Sequence, residues 1–242
     1  MTVDYLTGGG LTSWLVGGNN QVDKQWFYYR TGGAPGAVSP INNISASPLV
    51  QTPAGRLQVT YTNTAGTPFT VRALFAPGGT SGGNETITIV NLSTTSSLSI
   101  DLFQFSHFTL NDTSGSENVS IQTGGADNSA WQTNSSGGYL NDAASALPAA
   151  PHFAEASVGN LTMSSMLSPT FTHLNNNLSA SGDVTFAYEW DFNIAPGGSE
   201  VISIIQQVVV PEPSALTLIG LGLVSFALRR RSQSCFKAFW KS

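Results

Sequence analysis

One segment near the carboxyl end of this chain limits what can fold on either side of it. The segment begins with Pro211 and Pro213, which lack backbone N–H donors and have a fixed φ, so neither a helix nor a central strand continues through them. Residues 215–228 carry no charge, and three arginines follow directly. The uncharged run would form about 21 Å of helix. A full membrane span needs ~20 residues, or about 30 Å of helix, so the run is short.

The flanks of this run favour a membrane helix over a buried helix or a soluble amphipathic tail. Its apolar residues lie all round the helix, so a soluble version would need burial on every side. The arginines lie at one end only and would mark the cytoplasmic side, and their long stems help a short span to reach the interface. The predicted membrane helix contains the apolar residues Ala215, Leu216, Leu218, Ile219, Leu221, Leu223, Val224, Phe226 and Leu228. The predicted stop-transfer residues are Arg229, Arg230 and Arg231.

The order of these features resembles the PEP-CTERM sorting segment of exported bacterial proteins. The resemblance implies that Pro211, Glu212 and Pro213 form the box that an exosortase, a membrane-embedded cysteine protease, recognises. It also implies a chain that is held transiently in the inner membrane and is then delivered to the cell envelope or the extracellular matrix. Residues 232–242 depart from this pattern, because members of the family usually end soon after the arginines.

These features divide the chain into three parts. We predict a body at residues 1–209, a sorting segment at 210–231 and a basic and aromatic extension at 232–242. The first residues of the body have neither the basic start nor the apolar run of a signal peptide. Because sorting segments occur on exported proteins, we expect the natural start of the chain to lie upstream of Met1.

The charge of the body excludes nucleic acid as an expected partner. The chain has 14 acidic and 9 basic residues, and 13 of the acidic but only 4 of the basic residues lie before Pro211. Binding to phosphates needs clustered Lys and Arg, which so acidic a body does not offer. The single cysteine, Cys235, lies beyond the arginines, so the body forms no internal disulfide. A core of this size does not need one.

The body has the sequence pattern of an antiparallel β protein. Paired glycines recur along it, and they favour turns because glycine reaches positive φ without steric cost. Short runs rich in Val, Ile, Thr, Phe and Tyr lie between these turns. The predicted strands are 11–16, 22–30, 56–62, 69–75, 86–91, 98–110, 119–122, 170–173, 184–194 and 200–210. We predict an all-β fold, an antiparallel β-sandwich of jelly-roll type followed by a single C-terminal hydrophobic helix, with a barrel as the alternative.

Three regions of the body carry specific expectations. In residues 184–192, apolar residues alternate strictly with a second set that includes Glu189 and Asp191, which predicts one buried face and one solvent-facing face. Residues 124–150 are polar and small, which predicts a long surface loop or an excursion over one end of the sandwich. Residues 26–29 place aromatics on both faces of one strand, which favours burial on both sides over a platform for sugar rings.

The sequence predicts no catalytic residues, no metal site and no cofactor. The three histidines, His107, His152 and His173, share no ligand spacing. Glu189 and Asp191 would lie about 7 Å apart on one strand face, which suits inverting glycoside hydrolysis, but exposure to solvent is the simpler interpretation. Oxygen donors in the predicted loops could hold Ca²⁺, although they lack the spacing of an EF-hand.

Together these features predict an exported bacterial surface or matrix protein with a structural or adhesive role, and not an enzyme. Exosortase and the membrane are the expected partners, with extracellular polysaccharide as a further one. The alternative is a carbohydrate-binding module, which requires aromatic side chains such as Trp26 or Trp131 to be exposed in a row. A glycan hydrolase is a third interpretation and requires a pocket that gathers carboxylates with perturbed pKa values.

Overall fold

The computed structural model describes residues 2–79, 82–110, 115–124, 127–145 and 150–209. The predicted sorting box at Pro211, Glu212 and Pro213 lies outside these described residues. The predicted membrane helix, the stop-transfer arginines and the extension at 232–242 lie outside them too. Within the described part of the chain, no helix has both the length and the apolar character that crossing a bilayer requires.

The regular structure of the described body is mostly β-strand, with very little helix. In chain order the strands are β1 (Thr2–Asp4), β2 (Gly10–Ser13), β3 (Leu15–Val16), β4 (Asn19–Asn20), β5 (Val22–Thr31), β6 (Ser39–Pro40), β7 (Leu49–Gln51), β8 (Leu57–Asn63), β9 (Phe69–Pro77), β10 (Gly82–Asn91), β11 (Leu98–Phe108), β12 (Glu117–Gln122), β13 (Asp127–Asn134), β14 (Tyr139–Ser145), β15 (Phe153–Val158), β16 (Ser179–Gly182), β17 (Val184–Ile194) and β18 (Ser199–Val209). The helices are α1 (Leu161–Met166) and two 3-10 turns, Ile41–Ile44 and Pro53–Gly55.

These strands form two large antiparallel sheets, which confirms the predicted all-β, antiparallel class. The first sheet has the order β1-β2-β5-β11-β17-β15, with β6 paired to β5. The second sheet has the order β16-β12-β13-β14-β18-β10-β9-β8-β7, and β3 and β4 form a separate hairpin. The long strands β11 and β17 pair from Leu98 opposite Ile194 to Ser106 opposite Phe186, so they form the centre of the first sheet. The jelly-roll connectivity and the C-terminal helix stay predictions.

Both sheets contribute to one apolar core. Alternate residues along each strand point to the same face, so each long strand sends every second side chain into the core. Fully buried members from the first sheet are Phe27, Ile100, Phe186 and Trp190, and those from the second are Ile87, Ile89, Ile204 and Val208. Burial of each large side chain stabilises the fold by about 1.5–3 kcal/mol.

The prediction that one face of residues 184–192 is exposed to solvent is wrong, because the outer face of the first sheet is covered. Ala187 and Glu189 on that face have no solvent exposure. Residues 161–178, which we call the covering segment, lie across it, and their side chains form a second apolar cluster with the sheet. That cluster contains Tyr28, Val38, Phe103, Phe105, Met166, Phe171, Leu174 and Ala187. Since Tyr28 lies in this cluster and Phe27 in the main core, the expectation that residues 26–29 are buried on both sides is confirmed.

Two further expectations are corrected by the structure. The polar region 124–150 contains two paired strands, β13 and β14, rather than only a surface loop. Its inward positions alternate small apolar residues with buried polar ones, for example Ala130 with Gln132, so the hydrophobic period is weak in the sequence. The predicted strand at 170–173 is part of the covering segment and pairs with no strand.

Candidate functional site

Three metal-ligand side chains meet on the outer face of the first sheet, at the edge of the covering segment. Glu189 and Asp191 alternate on β17 and therefore project from the same face. His173 approaches them from the covering segment, and its Nδ1 lies 2.7 Å from Glu189 Oε1 and 3.7 Å from Asp191 Oδ2. One ligand atom from each of the three residues lies within 4.8 Å of the others. We call these three residues the His-carboxylate cluster.

Burial sets the electrostatics of this cluster. Glu189 is fully buried, whereas the side chains of His173 and Asp191 are 39% and 29% exposed. Burial raises the pKa of Glu189 to about 7, although hydrogen bonds from the Leu174 N–H and from His173 act in the opposite direction. The Leu174 N–H donates to Glu189 Oε2 over 2.7 Å, so both carboxylate oxygens are engaged.

A buried ion pair beside the cluster fixes the covering segment to the sheet. The Arg30 guanidinium contacts Asp101 Oδ2 through Nη2 at 2.7 Å and through Nε at 2.9 Å. It also donates to the backbone carbonyls of Phe171 and Thr172, at 3.0 and 2.8 Å. The same group lies over the Phe103 and Phe171 rings, and Nη2 is 4.0 Å from Glu189 Oε1. Arg30 therefore holds in place the residues that directly precede His173.

A second set of carboxyl groups lies between the sheets. Glu85 Oε1 accepts from the Tyr5 hydroxyl at 2.6 Å, and Oε2 accepts from the Gln25 amide at 2.7 Å. Asp142 Oδ2 accepts from the Gln104 amide at 2.7 Å. Burial raises the pKa of Glu85 to about 7 and that of Asp142 to about 8. These groups lie within the core and bind its two sheets together, so their perturbed pKa values do not indicate a binding site by themselves.

Exposed aromatic surface occurs on the outer face of the second sheet. Trp131 of β13 is 40% exposed, and its ring centroid lies 6.2 Å from that of Tyr139 on β14. The strand register places Asn141 beside Trp131 and Gln207 beyond it, so amide groups border the rings. The Trp131 ring N–H donates to Ser129 Oγ at 3.0 Å, which orients the ring.

The two tryptophans that the sequence singled out do not form a row. Trp26 lies on the outer face of the first sheet, where it packs against the second apolar cluster and under the Lys24 ammonium. Trp131 lies on the second sheet. The exposed row required for the carbohydrate-binding alternative is therefore reduced to one aromatic pair, Trp131 with Tyr139.

Spacing in the sequence could not reveal the His-carboxylate cluster. His173 lies 16 residues before Glu189, and a turn, a β-strand and the start of another separate them. The one local signal is the alternate placement of Glu189 and Asp191 on a strand, which the sequence analysis noted. His107 lies elsewhere, between Asp23 and Asp183. His152 adjoins the cluster through the backbone, because its Nδ1 accepts from the Asp191 N–H at 2.9 Å.

Comparisons with known proteins identify a C-terminal sorting motif and solved structures with a similar fold. The model of the PEP-CTERM protein-sorting motif matches residues 209–231. No curated protein matches the chain. A bacterial glucoamylase complexed with acarbose aligns with a TM-score of 0.57 at 10% identity, over 84% of this chain and 29% of that chain. A protein described as "Putative kojibiose phosphorylase from human microbiome" aligns with a TM-score of 0.48 at 7% identity, over 89% and 26% of the two chains.

The structural likeness and the motif carry different information. At 10% identity the likeness to the glucoamylase shows the fold alone, and the chain spans 29% of the length of that enzyme. The motif match supports an exported protein with a C-terminal sorting signal, for which exosortase is the processing partner and the cell envelope the destination. The chain therefore carries a PEP-CTERM protein-sorting motif, which occupies residues 209–231.

Proposed function

We propose that this chain is a structural or adhesive protein of the cell envelope or extracellular matrix, delivered there after a transient stay in the inner membrane. The observation that carries the proposal is the sorting motif at residues 209–231, which begins where the last strand of the body ends at Val209. A sorting signal in this position follows the folded body directly in the sequence, with no further domain between the body and the signal. The body would then act outside the cell.

We propose a non-enzymatic role for the body. The carboxyl groups with raised pKa values serve the fold, since Glu85 and Asp142 lie inside the core and Glu117 accepts from the Leu110 N–H at 2.6 Å. Glu189 is likewise enclosed under the covering segment. General acid and base catalysis needs such groups within hydrogen-bonding reach of a substrate, and burial opposes that access.

Extracellular polysaccharide is the partner we propose for the adhesive role. The Trp131 and Tyr139 rings offer an apolar surface that can lie against a sugar ring. The neighbouring amide of Gln207, which is exposed, supplies a donor and an acceptor for hydroxyl groups. Such a surface on a flat sheet suits an extended chain of sugars better than a small molecule, which binds in a concave pocket.

A glycan array probed with the purified full chain tests this role. We expect binding to one or more polysaccharides, and we expect Trp131→Ala to weaken it about tenfold, since loss of a stacked ring costs about 1.4 kcal/mol. Leu15→Ala is the matched control, because Leu15 is 58% exposed and lies in the separate β3-β4 hairpin. No captured glycan, or equal binding by Trp131→Ala and the wild type, would contradict the adhesive role at this surface.

A further inference from the structure

The Arg30 guanidinium lies beside the two carboxylates of the His-carboxylate cluster, with its Nη2 4.0 Å from Glu189 Oε1. Arg30 has a shorter contact, 2.7 Å, with Asp101, whose charge matches its own. Its remaining N–H groups donate to the carbonyls of Gly36, Phe171 and Thr172. Glu189 and Asp191 therefore add negative charge to a site in which Glu189 is buried while His173 and Asp191 stay partly exposed.

We propose that His173, Glu189 and Asp191 bind a divalent transition-metal ion, with Zn²⁺ as the expected occupant. One imidazole nitrogen and two carboxylate oxygens form a ligand set that Zn²⁺ accepts, and a fourth position is left for water. A doubly charged ion with two carboxylates and a neutral imidazole makes the site neutral. The inference is independent of polysaccharide binding, which involves the other sheet.

The distances in the cluster suit such an ion. Zinc–ligand bonds of about 2.0–2.2 Å place tetrahedral ligand atoms about 3.3 Å apart. His173 Nδ1 lies 2.7 Å from Glu189 Oε1 and 3.7 Å from Asp191 Oδ2, so these two separations differ from the required one by about half an ångström. The ligand atoms of Glu189 and Asp191 lie within 4.8 Å of each other. Small rotations of side chains that are partly exposed, as those of His173 and Asp191 are, supply this adjustment.

Neighbouring groups hold the three ligands in place. Pairing of β17 with β11 fixes the backbone of Glu189 and Asp191, and Glu189 is also paired with β15 on the other side. The His173 ring stacks on Phe153, with centroids 4.6 Å apart and planes at 23°. The second oxygen of Asp191, Oδ1, is enclosed and has no hydrogen-bond partner among the described residues. A buried unpaired carboxylate oxygen costs free energy, and a bound cation would remove part of that cost.

His107 provides a matched contrast within the same chain. It also lies between two carboxylates, but it uses opposite ring nitrogens, with Nδ1 3.2 Å from Asp23 and Nε2 2.9 Å from Asp183. An imidazole that contacts its two acids through different edges cannot bring them to one metal ion. His107 is thus similar in composition to the proposed site and different in geometry.

The test uses the full chain in detergent with Cys235→Ser, which removes its single thiol, and without a polyhistidine tag. We measure Zn²⁺ binding by calorimetry and Co²⁺ binding by its visible absorption. We expect one equivalent of either metal, and at least a tenfold weaker affinity for His173→Gln and for Asp191→Asn. We expect His107→Gln to bind like the parent chain. Asp191→Asn is preferred to a Glu189 variant because Asp191 is partly exposed and its replacement preserves the fold more readily.

Several results would overturn the proposal. One is the absence of stoichiometric binding, and another is undiminished binding by His173→Gln. Equal losses in His107→Gln and His173→Gln would indicate nonspecific binding to surface histidines. Displacement of Co²⁺ by an equal concentration of Ca²⁺ would indicate a site made of oxygen ligands alone, which contradicts the role of His173.

Discussion

The side chain of Asp142 shows that single residues in this core are adapted to a particular protonation state. Its Oδ2 accepts from the amides of Gln104 and Gln206, at 2.7 and 3.4 Å. Asp142 Oδ1 and the side-chain oxygens of both glutamines lack hydrogen-bond partners within the described residues. A protonated Asp142 supplies one of the missing donors, in agreement with the rise of its pKa to about 8 that burial causes.

We therefore expect Asp142→Asn to change how stability depends on pH. A carboxyl with a raised folded-state pKa contributes stability that is complete below its unfolded pKa, near 3.9, and is lost as the pH rises through about 8. In the wild type the free energy of unfolding should fall over this range by up to about 1.4 kcal/mol per pH unit from this group. The amide keeps its proton at every pH and can donate to the unpaired glutamine oxygens, so the decline should become shallower.

Urea unfolding at pH 5 and pH 8, followed by tryptophan fluorescence, measures this effect. The variant should be more stable than the wild type at pH 8 and should lose that advantage at pH 5. A smaller decline should remain in the variant, because burial also raises the pKa of Glu85 to about 7. Parallel pH profiles for the two proteins would show that Asp142 is ionised in the folded state.

For single residues, the sequence identifies candidate side chains but does not predict which side chains surround them in the fold. It drew attention to Glu189 and Asp191, but it gave no reason to connect them with His173. Their meeting depends on the covering segment, whose position is set by long-range contacts such as Arg30 to the Phe171 carbonyl. Nor does a single sequence reveal that Asp142 is buried, because its alternation with Leu140 and Ala144 is visible only once β14 is known to be a strand.

Among the elements, the covering segment has the largest influence on the candidate site. It turns the outer face of the first sheet into an interior surface and carries His173 to β17. Met166, at the end of α1, is completely buried in the second apolar cluster. The neighbouring Leu167 is 50% exposed, so adjacent positions of one short element have opposite environments.

These two neighbours permit a matched test of how the covering segment is held. Met166→Ala should lower the free energy of unfolding by about 2–5 kcal/mol, because it leaves a cavity under the segment. Leu167→Ala should change it by no more than about 0.5 kcal/mol. Urea unfolding measures both variants. Similar losses in the two would indicate that the segment is not packed on the sheet as described.

The elements that the sequence predicted well are those with a strong apolar period. Strand β17 was predicted with its observed bounds at 184–194, and β5, β9 and β11 were predicted within a few residues. For the residues of β13 and β14 the sequence predicts a surface loop or an excursion over one end of the sandwich, because their buried positions include Gln132 and Asp142. The structure satisfies these polar groups in part by hydrogen bonds between the two sheets, for example from Gln132 to the Phe108 carbonyl. No local pattern encodes such a partner.

For the whole molecule, the central claim is that the C-terminal segment sorts a folded β body out of the cell. The body has its own core, to which both sheets contribute, and its last strand ends at Val209. The sorting motif begins at that residue. The sequence is sufficient to recognise the motif, which depends on local composition, whereas the strand order of the body depends on distant pairings such as β10 with β18.

Fractionation of a bacterium that contains an exosortase tests this claim most directly. The wild-type chain is compared with a variant in which Pro211, Glu212 and Pro213 are all replaced by Ala, and with Lys237→Ala as a control in the extension. We predict that the wild type and the control reach the envelope or extracellular fraction, and that the triple variant stays in the inner membrane at full length. The same distribution and size for all three chains would contradict the account.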